Sequence, residues 1–166
     1  MKILKVVIGM PAFNESERIR EIINEIKNKS DNIIVCNDGS TDSTGIIAEK
    51  MGAIVINHEK NLGYGSAIKS IFLKAKEIEA DILITFDADG QHRIEDIDTV
   101  IQPILDNNAD MVIGSRFLEN DVKMPKYRKF GVKTITKLTN ISSKIKLSDS
   151  QSGFRAYNKK ILSEIV

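Results

Sequence analysis

Asp87 and Asp89 stand two residues apart, directly after the apolar run Ile82 to Phe86, and Gly90 and Gln91 follow them. The run reads as a short buried strand. In extended chain, residues two apart point to the same side. Both carboxylates therefore face one way, and Gly90 lets the backbone turn sharply after them. Adjacent carboxylates repel, and each favours a cation or a proton nearby. A hard divalent cation meets that need, because it takes oxygen ligands from one or two carboxylates and leaves other positions to water and substrate phosphates. Gln91 offers a neutral oxygen ligand or a supporting hydrogen bond. The same residues also suit a polar turn that binds nothing, since turns favour Asp and Gly.

Other strand ends carry similar chemistry. Val6 to Ile8, Ile33 to Cys36, Ala53 to Ile56 and Met111 to Ile113 read as further strands, with Phe154 to Tyr157 as a last one. Between them, apolar residues recur at helical spacing. Ile19, Ile22, Ile23 and Ile26 mark a helix from about Ser16 to Lys29, and a second, short one reaches Lys50. A third opens near Asn61 to Gly65, and a fourth runs from about Ile94 to Asn107, with Pro103 expected to kink it or end it early. Further helices are expected near Tyr127 to Ser143 and from Ile161 to Val166. Buried strands alternating with amphipathic helices imply an α/β domain with a mostly parallel sheet. In open sheets of this kind the ligand crevice lies outside the carboxyl ends of the strands. Pro11 to Glu15, Asn37-Asp38, Asp87 to Gln91 and Ser115-Arg116 would gather on that rim. Asp38 can accept the ring N–H of a uracil or guanine base, or serve as a turn residue. Arg116 is a planar, always charged donor that matches phosphate oxygens, or forms a surface ion pair. Base, diphosphate and metal together describe a nucleotide donor.

The chain has 166 residues, 42% hydrophobic and 28% charged, which suits one globular domain. Its net charge of +1 points to no nucleic-acid partner. The lone Cys36 lies in an apolar run, forms no disulfide within the chain, and reads as a small core residue suited to a cytoplasmic protein. From Arg116 to Lys146 there are nine Lys and Arg against Glu119 and Asp121 alone. Such a segment attracts phosphates or a membrane surface, or is a solvated helix face.

Two patterns fail on position. Gly63-Tyr64-Gly65-Ser66-Ala67-Ile68 lacks the third small residue of a dinucleotide fingerprint and follows the third strand. Asp87-Ala88-Asp89-Gly90 would have to follow the first strand to match an aspartate phosphatase, and Gln91 is the wrong continuation.

Six stretches, in order, carry a broader resemblance: Pro11-Ala12-Phe13-Asn14-Glu15, Asn37 to Asp42, Asn61-Leu62-Gly63-Tyr64-Gly65, Asp87 to His92, Gly114-Ser115-Arg116-Phe117, and Asp149 to Arg155. Together they resemble a family 2 glycosyltransferase with the GT-A fold, in the branch of dolichyl-phosphate mannose and glucose synthases. The resemblance implies inverting transfer of a hexose from a GDP- or UDP-sugar, dependent on Mg²⁺ or Mn²⁺. It assigns donor binding to Pro11, Asn14, Glu15, Asp38 and Gly63, and metal binding to Asp89 and Gln91, with Asp87 toward the metal, nucleotide or sugar. Arg116 and Arg128 would face the phosphates of donor or acceptor.

Two departures stand out. The family often has Asp-Asp-Gly where this chain has Asn37-Asp38-Gly39, and the chain stops at Val166, inside what the resemblance implies is a helix. It is expected to be a single catalytic domain shortened at its C-terminal end. The acceptor implied is a polyprenyl phosphate, met at the cytoplasmic membrane face by Lys126, Arg128 and Lys129. A glycan hydroxyl acceptor would instead require a carboxylate base, with Asp149 the first candidate. A nucleotide-sugar-binding domain with little activity of its own is the remaining alternative.

Overall fold

Seven successive residues, Val6–Ala12, form the central strand β1, and their side chains divide between two cores. Ile8, Met10 and Ala12 face one side of the sheet, and Val7 the other. The computed structural model describes residues 4–87, 93–115, 132–137, 139–140 and 147–165. In chain order they give β1, α1 (Ile19–Ile26), β2 (Ile33–Asn37), α2 (Thr44–Lys50), β3 (Ile54–Asn57), α3 (Tyr64–Glu77), β4 (Ile82–Thr85), α4 (Asp96–Leu105), β5 (Met111–Ile113), a helical stretch α5 at residues 132–137, β6 (Arg155–Asn158) and α6 (Lys159–Ile165).

The sheet order is β3-β2-β1-β4-β6-β5. β1 to β4 are parallel, and β6 runs antiparallel between β4 and β5. Period-two alternation sorts every strand: Ile33 and Val35 pack with α1, α2 and α4, whereas Ile34 and Cys36 pack with α3 and α6. The result is three layers, the mostly parallel α/β architecture expected from the sequence. Helix α3 lies so close to the sheet that a Cβ on Gly9 would stand 2.3 Å from Ile71 Cγ2.

Several boundaries differ from expectation. β1 continues past Ile8, the last residue of the expected strand, through Met10 and Pro11 to Ala12. Ile8 N–H bonds the Asn32 carbonyl and Ala12 accepts from Asp38 N–H, both toward β2, whereas Gly9 accepts from Phe86 on the β4 side. By alternation the Pro11 nitrogen faces the β4 side, beyond the last pair there, Gly9 with Thr85. A missing N–H is harmless at that position. Helix α1 is shorter than Ser16 to Lys29, because its flanks are turns. Pro103 falls in the last turn of α4, which ends at Leu105. In α5, Val132 and Thr136 are the buried residues and Ile135 is exposed. Most of the basic segment, with Lys126, Arg128 and Lys129, lies outside the described residues.

Candidate functional site

The carboxyl ends of β1, β2 and β4 open onto a cleft of about 390 Å³, lined by Pro11, Ala12, Phe13, Glu15, Asp38, Asn61, Gly63, Tyr64, Ala67 and Asp87. Asp38 directly follows β2 and is 4% exposed. Its Oδ1 accepts the His58 Nδ1–H at 2.6 Å and the Leu62 N–H at 3.0 Å, and its Oδ2 accepts the Gly63 N–H at 2.8 Å. Burial pushes the Asp38 carboxyl up, but the Leu62 N–H, the His58 ring and the Gly63 N–H outweigh it and hold it below the usual carboxylate range. A buried, ionised acceptor therefore stands in the wall of the cleft. Beneath it, burial and then the Asp38 charge push the Cys36 thiol up to about 11. Cys36 is thus a protonated core residue, as its apolar run suggests.

The loops after β1 and β2 are laced together. Asn14 adopts a left-handed backbone, φ 56°, which Asn tolerates better than most residues. Its N–H donates to Ser40 Oγ, and its Oδ1 accepts from the Thr41 N–H and hydroxyl. Asp42 accepts from the N–H groups of Ser16 and Thr44 and from the Thr44 hydroxyl. Burial pushes the Asp42 carboxyl up, but the Thr44 and Ser16 bonds prevail and bring it down to about 2. A carboxyl depressed on folding stabilises above its unfolded value of ~3.9, and the benefit is lost as pH falls through the folded value. Asp42 is exposed, so solvent screening discounts the gain, and Asp42→Ala is expected to cost at most about 1 kcal/mol at neutral pH. Thermal unfolding should show that difference shrinking between pH 4 and the folded value of about 2, and a pH-independent gap would refute the assignment.

On the β4 side, Asp87 Oδ1 accepts from the Tyr64 hydroxyl at 3.1 Å. Burial, then the Asp87 charge and hydrogen bond, push that hydroxyl above the ordinary phenol range, so Tyr64 stays a neutral donor. The backbone at Gly153 closes over this pair: a Cβ there would stand 2.4 Å from Asp87 Oδ2 and 2.5 Å from the Tyr64 oxygen. Among the described residues no three His, Cys, Asp or Glu side chains gather to hold a metal. Asp87 brings a carboxylate, a hard oxygen donor, to the β4 side of the cleft. A carboxylate beside phosphate oxygens is a donor set that suits a hard divalent cation, so the residues present fit such an ion.

The structure brings Pro11, Glu15, Asp38, Gly63 and Asp87 to one cleft. Asn14 is not among the lining residues; its side-chain oxygen holds Thr41 instead. Asp149 is 1% exposed, does not line the cleft, and accepts the Gln151 N–H across a turn. Asp89, Gln91, Arg116 and Arg128 lie outside the described residues. Sequence reasoning passed over His58, Tyr64 and Gly153 as site residues. Tyr64 had a local signal, sitting at the helix start beside Gly63, whereas the other two meet the site only through tertiary contacts.

The profile of Glycosyl transferase family 2 matches residues 7–166. The UDP-N-acetylglucosamine–dolichyl-phosphate N-acetylglucosaminyltransferase of Methanococcus voltae is 37% identical, over 96% of this chain and 72% of its own length. The dolichyl-phosphate hexose transferase of Haloferax volcanii is 30% identical, over 98% of this chain and 69% of its own. Among solved structures, glucosyl-3-phosphoglycerate synthase from Mycobacterium tuberculosis, in complex with Mn²⁺, UDP and glucosyl-3-phosphoglycerate, superposes with a TM-score of 0.73. It is 21% identical, and the match covers 95% of this chain but 58% of that one. That likeness is one of fold, and the fold is GT-A.

Proposed function

Because the chain belongs to glycosyl transferase family 2 and is a glycosyltransferase, we propose that it moves a hexose or N-acetylhexosamine from a nucleoside-diphosphate sugar to a polyprenyl phosphate, with inversion. One observation carries this reading: Asp38 after β2 and Asp87 after β4 line the same cleft. Asp38 accepts a ring N–H of the base, and Asp87 lies toward the diphosphate end. Pro11, Glu15 and Gly63 shape the nucleoside wall, and Asn14 acts indirectly by fixing the loop after β2. Asp87, Asp89 and Gln91 would hold Mg²⁺ or Mn²⁺. Such an ion, when bound, neutralises charge on the leaving diphosphate. Arg116 and Arg128 would neutralise phosphates of donor or acceptor.

A phosphate acceptor is already ionised near neutral pH, since its second pKa is ~6. Its attack on the sugar carbon needs no strong general base, so the residues mainly position the two substrates and exclude water. The burial of Asp149 away from the cleft suits that chemistry better than a hydroxyl acceptor would. No described helix is long and apolar enough to cross a membrane, and the basic segment from Arg116 to Lys146 supports a peripheral approach to anionic lipid. The test is transfer of labelled sugar from a panel of GDP- and UDP-sugars to polyprenyl phosphate vesicles. Transfer is expected only with a divalent cation and should weaken in high salt. Equal donor affinity with and without the cation, or transfer to soluble glycans alone, would overturn the reading.

Asp38→Ala is expected to weaken nucleotide binding ~10-fold or more, whichever sugar the donor carries, because it removes a hydrogen bond to a charged acceptor. Unchanged titration with free nucleotide would reduce Asp38 to a turn residue.

A further inference from the structure

The hydrogen bonds already made by Asp38 limit what it can read. An ionised carboxylate has about four acceptor sites, roughly two on each oxygen. On Oδ1 both are taken, by His58 Nδ1–H at 2.6 Å and Leu62 N–H at 3.0 Å. On Oδ2 one is taken, by Gly63 N–H at 2.8 Å. A single acceptor site remains, on Oδ2. We propose that this site selects a base with one isolated ring N–H, so that the donor is a uridine nucleotide in preference to a guanosine nucleotide, and that His58 is the positioning residue that enforces the choice. The inference rests on the reading of this cleft as a nucleotide-sugar site.

Uracil presents one N–H flanked by two carbonyls, which need donors. Guanine presents a ring N–H beside an amino N–H, a pair that suits both oxygens of one carboxylate. With Oδ1 filled, the second guanine donor is left without a partner on Asp38, and an unpaired buried donor weakens binding about 10-fold or more. The His58 ring is fixed for this task. Ionised Asp38 only accepts, so the ring proton stays on Nδ1, toward it, while Nε2 lies 2.8 Å from Ser70 Oγ on α3 and 3.6 Å from Cys36 Sγ, which hold the ring in place. The His58 and Asp38 side chains are 10% and 6% exposed, so the ring is not readily replaced by water or turned away by a ligand.

Calorimetric titration of the unmodified chain with UDP and with GDP, both with Mn²⁺, tests this. UDP is expected to bind ~10-fold tighter or better, from the cost of the orphaned donor. His58→Ala opens a site on Oδ1 and should bring the two affinities together. His58→Asn returns an N–H close to the Nδ1 position and should restore the preference. A purely structural histidine would lower both affinities alike and leave their ratio unchanged. Ser70→Ala removes one anchor of the ring and should narrow the ratio part of the way; it carries the test if His58→Ala fails to unfold cooperatively. GDP binding as tightly as UDP to the unmodified chain overturns the base preference. An unchanged ratio in the His58→Ala chain, or in Ser70→Ala where that carries the test, overturns the role of His58. Binding of neither nucleotide overturns the nucleotide-site reading itself, and with it this one.

Discussion

Gly153→Ala is expected to cut sugar transfer ~10²-fold while the chain stays folded. The added methyl would enter 2.4 Å from Asp87 Oδ2 and 2.5 Å from the Tyr64 hydroxyl, and ordinary contact needs about an ångström more. Something must move, and the loop carrying residue 153 is tied down. Thr85 Oγ1 donates to the Gly153 carbonyl at 2.6 Å. The Arg155 guanidinium donates to the carbonyls of Ser152 and Ser150 at 2.7 and 2.9 Å. Phe154 packs edge-on against Phe86 with ring centroids 5.7 Å apart. The ends of the Asp87 and Tyr64 side chains are the parts that can give, so the displacement falls on the proposed metal and diphosphate end of the cleft. A misplacement of ~1 Å at such a site costs ~10²-fold. The decisive comparison is rate against thermal stability: a large loss of transfer at nearly unchanged midpoint supports the argument, and full activity refutes it.

The second large effect concerns stability. Gly39→Ala should destabilise the domain by about 4 kcal/mol, combining ~1–2 kcal/mol for a left-handed backbone with ~1–3 kcal/mol for overpacking. Gly39 has φ 71°, and a Cβ on it would lie 2.3 Å from the Lys60 carbonyl carbon and 2.4 Å from the Asn61 nitrogen. These are backbone atoms and cannot swing aside. The loop they belong to delivers the Leu62 and Gly63 N–H groups to Asp38. The substitution should therefore lower the melting midpoint by roughly 10 °C and weaken nucleotide binding together. Gly65→Ala is the control. Nothing lies within 4 Å of a Cβ there, it sits inside α3, and a small gain in stability is expected. If the two variants melt alike, the close approach at Gly39 is not what stabilises this loop.

The parts of this protein that were legible in its sequence are those written locally. Ile19, Ile22, Ile23 and Ile26 share a helix face by spacing alone, and all four are buried. The apolar runs at Ile33 and Ile82 became central strands for the same reason. Convergence of Asp38 and Asp87 followed from the rule that parallel strands present their carboxyl ends to one rim. What was hidden depends on residues far apart in the chain. His58 meets Asp38 across 20 positions, and no periodicity records that contact. The resemblance implies that Asn14 contacts the donor; its side-chain oxygen accepts from the Thr41 N–H, and it stands on a left-handed backbone that sequence does not announce. The antiparallel placement of β6 was also invisible, since β6 reads from sequence as one more apolar strand.

That placement bears on how the chain is made. β4 receives its second neighbour only from β6, and β5 pairs with β6 alone among the described strands. Thr85 and Gly153 are separated by 68 positions. At the usual pace of ~5–20 residues per second, a ribosome needs roughly 3–14 s to cover that distance. Throughout that interval a parallel half-sheet β3-β2-β1-β4 has its β4 border open in addition to the β3 edge, and β5 waits with no strand to join. Open strand borders recruit other chains. Synthesis therefore passes through a window in which aggregation competes with completion, and chaperone cover of residues 82–85 is expected to raise the yield of folded protein.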